Sequence, residues 1–222
     1  VDQHIVQSYD QELHKLTESI IEMGELVKEM LLIQHNAANK PSAHHVSEAE
    51  TLDTKINRYD LEIEQQATIL IATRQPLAID LRQITSAIKI AVILERMGDL
   101  SKNVTRRISM VANILQEDLL EDINKMTEIL IVMLEKIMNA IKELDLNSAL
   151  DVIEKDAYID ALYSTLINKL SSVVVSDQEI TQSMMQLIIA IKNIERMGDY
   201  IAKLAKILYY IVTGDTITTR PV

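Results

Sequence analysis

The pentapeptide Glu-Arg-Met-Gly-Asp occurs at 95–99 and again, letter for letter, at 195–199. In a chain this short, a chance repeat of five residues has odds of about a few in a hundred at ordinary residue frequencies. The pair therefore points to duplication of a unit of roughly one hundred residues. Both copies lie inside stretches that read as helix, "VILERMGDLSKN" and "KNIERMGDYIAK". The fold has to place one helical segment twice, at matching positions in two similar halves.

The duplicated unit is expected to be all-α. Four Gly and three Pro in 222 residues are too few turn formers for a sheet protein. The stripe Leu52, Ile56, Tyr59, Ile63, Leu70 steps at helical spacing, as bundle packing requires. Three helices are expected in each half. They run from about Asp2 to Asn39, Ser47 to Thr73 and Pro76 to Leu115, then Leu119 to Leu144, Ser148 to Val174, and from the acidic turn at 176–179 to Val212. Ser47 with Glu50 has the form of a capping box, Asn147 or Ser148 can cap the fifth helix, and Gly214 can close the sixth. The expected architecture is two tandem, pseudo-symmetric three-helix bundles, 1–116 and 117–214, followed by a flexible tail at 215–222.

Several function classes are disfavoured at once. A net charge of −11 argues against a nucleic-acid partner. No apolar run approaches the ~18 residues that cross a bilayer, and the first ten residues show no secretory signal. The absence of Cys suits the cytoplasm and removes thiolate metal sites. No Ser-His-Asp group or phosphate-cradling Gly-rich loop is evident.

The acidic residues carry the chemistry. Glu95 and Asp99 are four apart, as are Glu195 and Asp199, so each pair shares one helix face. Such like-charge pairs cost only about 0.2–0.5 kcal/mol, so one pair alone also fits a solvated face. Gly98 and Gly198 each forgo about 1 kcal/mol of helix propensity relative to Ala. Another helix or a ligand is therefore expected to approach the backbone there.

A second acidic stripe lies on the middle helix of each half. In the first it is Asp53, Asn57, Asp60 and Glu64; in the second, Asp156 and Asp160, followed by Tyr163. If the second and third helices form an antiparallel hairpin, the two stripes come level. Carboxylates converging from two helices make a hard-cation site for iron, manganese, magnesium or calcium, with a carboxylate-bridged cluster within reach. All five His lie within the first 45 residues, which disfavours ferritin-like di-iron and ordinary zinc-enzyme ligand sets. An alternative reading is a carboxylate-bridged metalloenzyme, an oxidase or hydrolase. Arg96 and Arg196 read as partners of nearby acids, Met97 and Met197 as core filler, and His44-His45 as part of a loop.

Taken together, "DTKIN" (53–57), "RQPLAIDLR" (74–82), "ILERMGD" (93–99) and "NIERMGD" (193–199) resemble the PhoU family. The likeness spans almost the whole chain and includes the closing "YYIVTGD". It implies a non-enzymatic, cytoplasmic negative regulator of the phosphate-starvation response. Such proteins act with a phosphate ABC transporter, through its ATPase subunit, and with a sensor histidine kinase; they form homodimers and meet the membrane only through those partners. The resemblance also implies metal, as iron or zinc clusters or as manganese or magnesium. Carried over, the ligand pairs are Glu95 with Asp99, Glu195 with Asp199, Asp53 with Asn57, and Asp156 with Asp160. The second half departs from the pattern, with Ser164 where the family often has an acid and no counterpart of Glu64. Arg74, Gln75, Asp80 and Arg82 belong to a partner surface on this reading. Read as residues alone, they serve equally to fix the corner between the second and third helices.

Overall fold

The computed structural model describes residues 2–111, 117–171 and 178–217. Among them six helices follow in order: α1 (Asp2–Asn39), α2 (Ala43–Arg74), α3 (Ala78–Val111), α4 (Glu117–Glu143), α5 (Leu146–Ser171) and α6 (Gln178–Thr213). The all-α plan of two three-helix repeats holds.

Three starts differ from expectation. Helix α2 begins before Ser47, because Ser42 caps it: its hydroxyl accepts from the His44 backbone N–H at 3.2 Å. His44 and His45 therefore lie in the first turn of α2, and His44 pairs with Glu48 at 3.0 Å. Helix α3 begins at Ala78 instead of Pro76, since Gln75 ends α2 in the left-handed conformation (φ 48°) and the turn takes up Pro76 and Leu77. Helix α5 begins at Leu146, capped by Asp145, whose Oδ1 accepts from the N–H groups of Asn147 (3.0 Å) and Ser148 (3.4 Å). Gly214 closes α6 as expected, at φ +82° with its N–H on the Tyr210 carbonyl at 2.9 Å. Leu115, Val174 and the expected cap at 176–177 lie outside the described residues, as do 218–222 of the tail.

In each half the three helices all pack on one another. The halves meet through α1 on α4 and α3 on α6, while α2 and α5 touch only helices of their own half among the described residues. One apolar core runs through both halves, from Leu16 and Met23 through Ile56, Ile63, Leu94 and Met97 to Leu130, Ile159 and Met197. Where the halves join, a buried polar chain fixes register. The Ser101 hydroxyl donates to Gln34 Oε1 at 2.9 Å, and Gln34 Nε2 donates to Thr127 Oγ1 at 2.8 Å. Each group is fully buried yet satisfied, so the junction is locked to one arrangement.

The repeated glycines now have their cause. A Cβ added at Gly98 would stand 3.0 Å from Ile56 Cδ1, and one at Gly198 would stand 3.3 Å from Ile159 Cγ2. In both halves the middle helix lies directly on the third helix, and glycine seats it without displacing a neighbour. This close seating sets the depth at which the acidic stripes meet.

Candidate metal centres

In the first half α2 and α3 bring their acids together. Glu95 is half-buried, and its carboxyl is pushed above the usual range by burial first, then by the charges of Asp99, Asp60 and Asp53, with Arg96 opposing. Asp60 is likewise raised, by burial and by Glu64. A cation is already part of this cluster. Lys102 Nζ lies 2.6 Å from Asp53 Oδ2 on α2 and 2.8 Å from Asp99 Oδ1 on α3. Burial pulls this lysine down, but the hydrogen bonds and charges of the two aspartates outweigh it and hold the ammonium above its ordinary value. The other Asp53 oxygen, Oδ1, is buried with no hydrogen-bond partner. Asn57 is exposed on the outer side of the stripe.

In the second half the pieces sit differently. Asp156 is 4% exposed, with Oδ1 lying 3.0 Å from where a Cβ at residue 198 would be. Asp160 is half-buried and Asp199 exposed. Glu195 is held by Lys192, whose Nζ lies 2.6 and 2.7 Å from its two oxygens and 5.0 Å from the centroid of the Tyr163 ring. The Glu195 hydrogen bond, against the opposing pull of burial, keeps Lys192 raised, with Tyr163 and Asp199 adding to it.

Among the described residues, no three carboxylate or imidazole groups stand in a ready metal-holding arrangement. In the first half the Lys102 ammonium stands between Asp53 and Asp99. The residues nevertheless suit a hard cation: all donors are oxygen, Asp53 Oδ1 is an orphaned buried acceptor, and Glu95 is crowded by three like charges. Lys102 and Lys192 were missed at the sequence level. Their signal was the i,i+3 spacing to Asp99 and Glu195, which places a cation on the acidic face.

The corner residues each have a structural engagement. Arg74 Nε donates to Glu12 on α1 at 2.9 Å, the Tyr9 hydroxyl donates to Asp80 at 3.1 Å, and Arg82 Nε donates to the Ile211 carbonyl on α6 at 2.9 Å. Tyr9 is pushed up to about 12, by burial first and then by Asp80. Gln75 supplies the left-handed cap. Arg74 and Asp80 thus tie the ends of α2 and α3 to α1, and Arg82 ties α3 to α6.

The fold and site define a class: a duplicated helical bundle whose first repeat gathers acids of two helices. The PhoU domain model matches residues 20–108 and again 123–208, and the chain belongs to that family, one of accessory regulators and not of enzymes. A Rhizobium meliloti protein, "Phosphate-specific transport system accessory protein PhoU homolog", is 32% identical over 95% of this chain and 90% of its own length. The Zymomonas mobilis protein of the same name is 32% identical over 98% of this chain and 92% of its own. The crystal structure of the phosphate transport system regulatory protein PhoU from Streptococcus pneumoniae superposes with TM-score 0.86 at 28% identity, covering 95% of this chain and all of that one. PhoU from Pseudomonas aeruginosa gives 0.85 at 26% identity, over 93% and 100% of the two chains. No described helix is long and apolar enough to cross a membrane.

Proposed function

We propose that the chain is a metal-binding regulatory adaptor of phosphate uptake and signalling. On this reading it is a cytoplasmic homodimer that restrains the phosphate-starvation response by linking the ATPase subunit of a phosphate ABC transporter to a sensor histidine kinase. Support for the phosphate-transport part comes from the names of its relatives. The observation that carries the metal part is the first cluster, where Glu95 is raised by Asp99, Asp60 and Asp53 and a buried Asp53 oxygen lacks a partner. Excess negative charge at that depth calls for a cation.

Asp53, Asp60, Glu95 and Asp99 would hold the ion in the first half, with Asn57 at its edge; Asp156, Asp160, Glu195 and Asp199 would hold it in the second. A bound iron, zinc, manganese or magnesium ion would supply positive charge that ties α2 to α3 and α5 to α6. Each repeat, 1–116 and 117–214, then presents one cross-linked helix pair to a partner. Protein purified from its host is expected to contain stoichiometric metal, and the variant with Glu95, Asp99, Glu195 and Asp199 all changed to Ala is expected to lose most of it. In cells lacking the native protein, that variant should fail to silence a starvation-induced phosphatase in phosphate-rich medium. Full metal retention rejects the sites; metal loss with normal silencing rejects a regulatory role for the metal.

A further inference from the structure

A neighbouring face of α3 carries a feature that neither the acidic clusters nor the family likeness uses. Along the valley between α3 and α6 runs a groove of about 580 Å³. Arg96 lines it, one residue round the helix from Glu95, together with Lys89, Lys203 and Lys206. No Asp or Glu is among its lining residues, in a chain with 33 acids and 22 basic residues. The floor is apolar, with Val92, Ile93, Ile207 and Tyr210, and Ile217 beyond the end of α6 closes one side. Lys89 Nζ stands 5.6 Å from the Tyr210 ring centroid, at the groove wall.

An independent observation marks the floor. Ser86 lines the groove, is fully buried, and its hydroxyl has no hydrogen-bond partner. Its neighbour Thr85 meets the same need by donating to the Leu81 carbonyl at 2.8 Å. A buried hydroxyl left unpaired is destabilising, and a ligand on the floor would offer it a partner.

The groove makes two demands together, for negative charge at the rim and for apolar surface on the floor. An inorganic anion meets only the first, and a neutral hydrophobe only the second. One carboxylate leaves most of four cations uncompensated, whereas a phosphate ester brings a charge of about −1.5 to −2 and three strong acceptors. The volume lies within the ~300–1,000 Å³ range of small-ligand sites, which are mostly apolar with a few placed polar groups. We propose that the α3–α6 groove binds a small organic phosphate. Lys89, Arg96, Lys203 and Lys206 take its phosphate oxygens, Val92, Ile207 and Tyr210 take its apolar or aromatic body, and Ser86 donates to one of its polar atoms.

The test uses full-length protein freed of metal by chelator, so that the acidic clusters play no part. Isoleucine methyl spectra are recorded against ATP, dodecyl phosphate and pyrophosphate, which separate an aromatic body, an aliphatic body and bare charge. At least one of the first two is expected to shift the methyls of Ile88, Ile93, Ile207 and Ile217 and to bind about tenfold or more tighter than pyrophosphate. Lys203→Glu with Lys206→Glu should lose about tenfold or more of that affinity while keeping the wild-type melting temperature; if that variant fails to fold, Lys203→Gln with Lys206→Gln replaces it and should lose affinity in the same direction. Equal binding of pyrophosphate, shifts at other isoleucines, no shift with any of the three, or undiminished binding by the lysine variants overturns the proposal.

Discussion

The two acidic clusters descend from one ancestor and solve the same charge problem with different residues. Asp53 and Ile56 on α2 correspond to Asp156 and Ile159 on α5; Ile56 lies against Gly98, and both Asp156 and Ile159 lie against Gly198. The compensating cations do not correspond. Lys102 matches Ala202 in the second copy, and Lys192 matches Val92 in the first. In the first half the lysine bridges two helices, with side-chain exposures of 25% for Lys102 and 14% for Asp53. In the second, Tyr163 stands where the first half has Asp60, and Lys192, itself 47% exposed, lies over that ring while gripping Glu195 of its own helix, 13% exposed. Packing was inherited; charge balance was reached twice. Lys102 is the more buried of the two lysines and is held by carboxylates of two helices where Lys192 holds one, so it is the harder one for an incoming ion to displace.

The largest effects should come from the shared packing. Gly98→Leu and Gly198→Leu each force α2 or α5 off its seat and are expected to cost about 1–3 kcal/mol or more, read from denaturant midpoints. Alanine separates the halves. At Gly98 the new methyl meets the flexible end of Ile56, so about 1 kcal/mol of gained helix propensity offsets a small readjustment and stability changes little. At Gly198 it meets the buried Asp156 carboxylate as well as Ile159, and stability should fall. Equal responses to alanine would erase this part of the comparison.

Next in size come the lysines. Lys102→Met removes an ammonium that an ion must otherwise displace from two carboxylates. Manganese affinity of the first cluster is expected to rise about tenfold, equivalent to ~1.4 kcal/mol. Without metal the same variant should melt earlier, because Asp53 and Asp99 are left uncompensated. Lys192→Met frees only Glu195, and the gain there should be smaller than for Lys102→Met. Calorimetric titration of both variants decides it: a larger gain at Lys192 inverts the ranking of the two sites.

Much of this was legible in the residues. The duplication and the helix order followed from spacing and composition, because helical periodicity and a five-letter repeat are local signals; the meeting of acids between helices is seen in the first half, between α2 and α3. The caps were misplaced at Ser47 and at Asn147 or Ser148, since Ser42 and Asp145 lie a few residues earlier in segments that read as loop or as helix end. The i,i+3 spacing of Lys102 to Asp99 and of Lys192 to Glu195 was legible, but the interhelical pairing was not. The pairing of Lys102 with Asp53 spans two helices, and sequence spacing carries no record of which neighbour a long side chain will choose. The groove was equally hidden, because its cations come from α3 and α6, far apart in the chain, and only the packing of the halves gathers them.

The smallest effect tests whether the first cluster is truly overcharged without metal. No ion pair among the described residues reaches Glu95, whereas both oxygens of Glu195 are on Lys192. Burial, Asp99, Asp60 and Asp53 raise the Glu95 carboxyl, so the folded state holds that proton more tightly than the unfolded chain. The stability this confers is complete below the ordinary carboxylate range and is lost as pH rises through the folded value. Glu95→Gln keeps the shape and removes the charge. In chelator at pH 7.5 it is expected to melt higher than the wild type, by no more than the ~2–4 °C that ~1 kcal/mol produces in a protein this size. By pH 4 the advantage should fade, because the wild-type carboxyl is then protonated. Glu195→Gln gives up a carboxylate already matched to an ammonium and should show no such gain at pH 7.5. A wild type that melts higher than Glu95→Gln at pH 7.5 would mean that Glu95 is already compensated, and the asymmetry between the halves would then lie in packing alone.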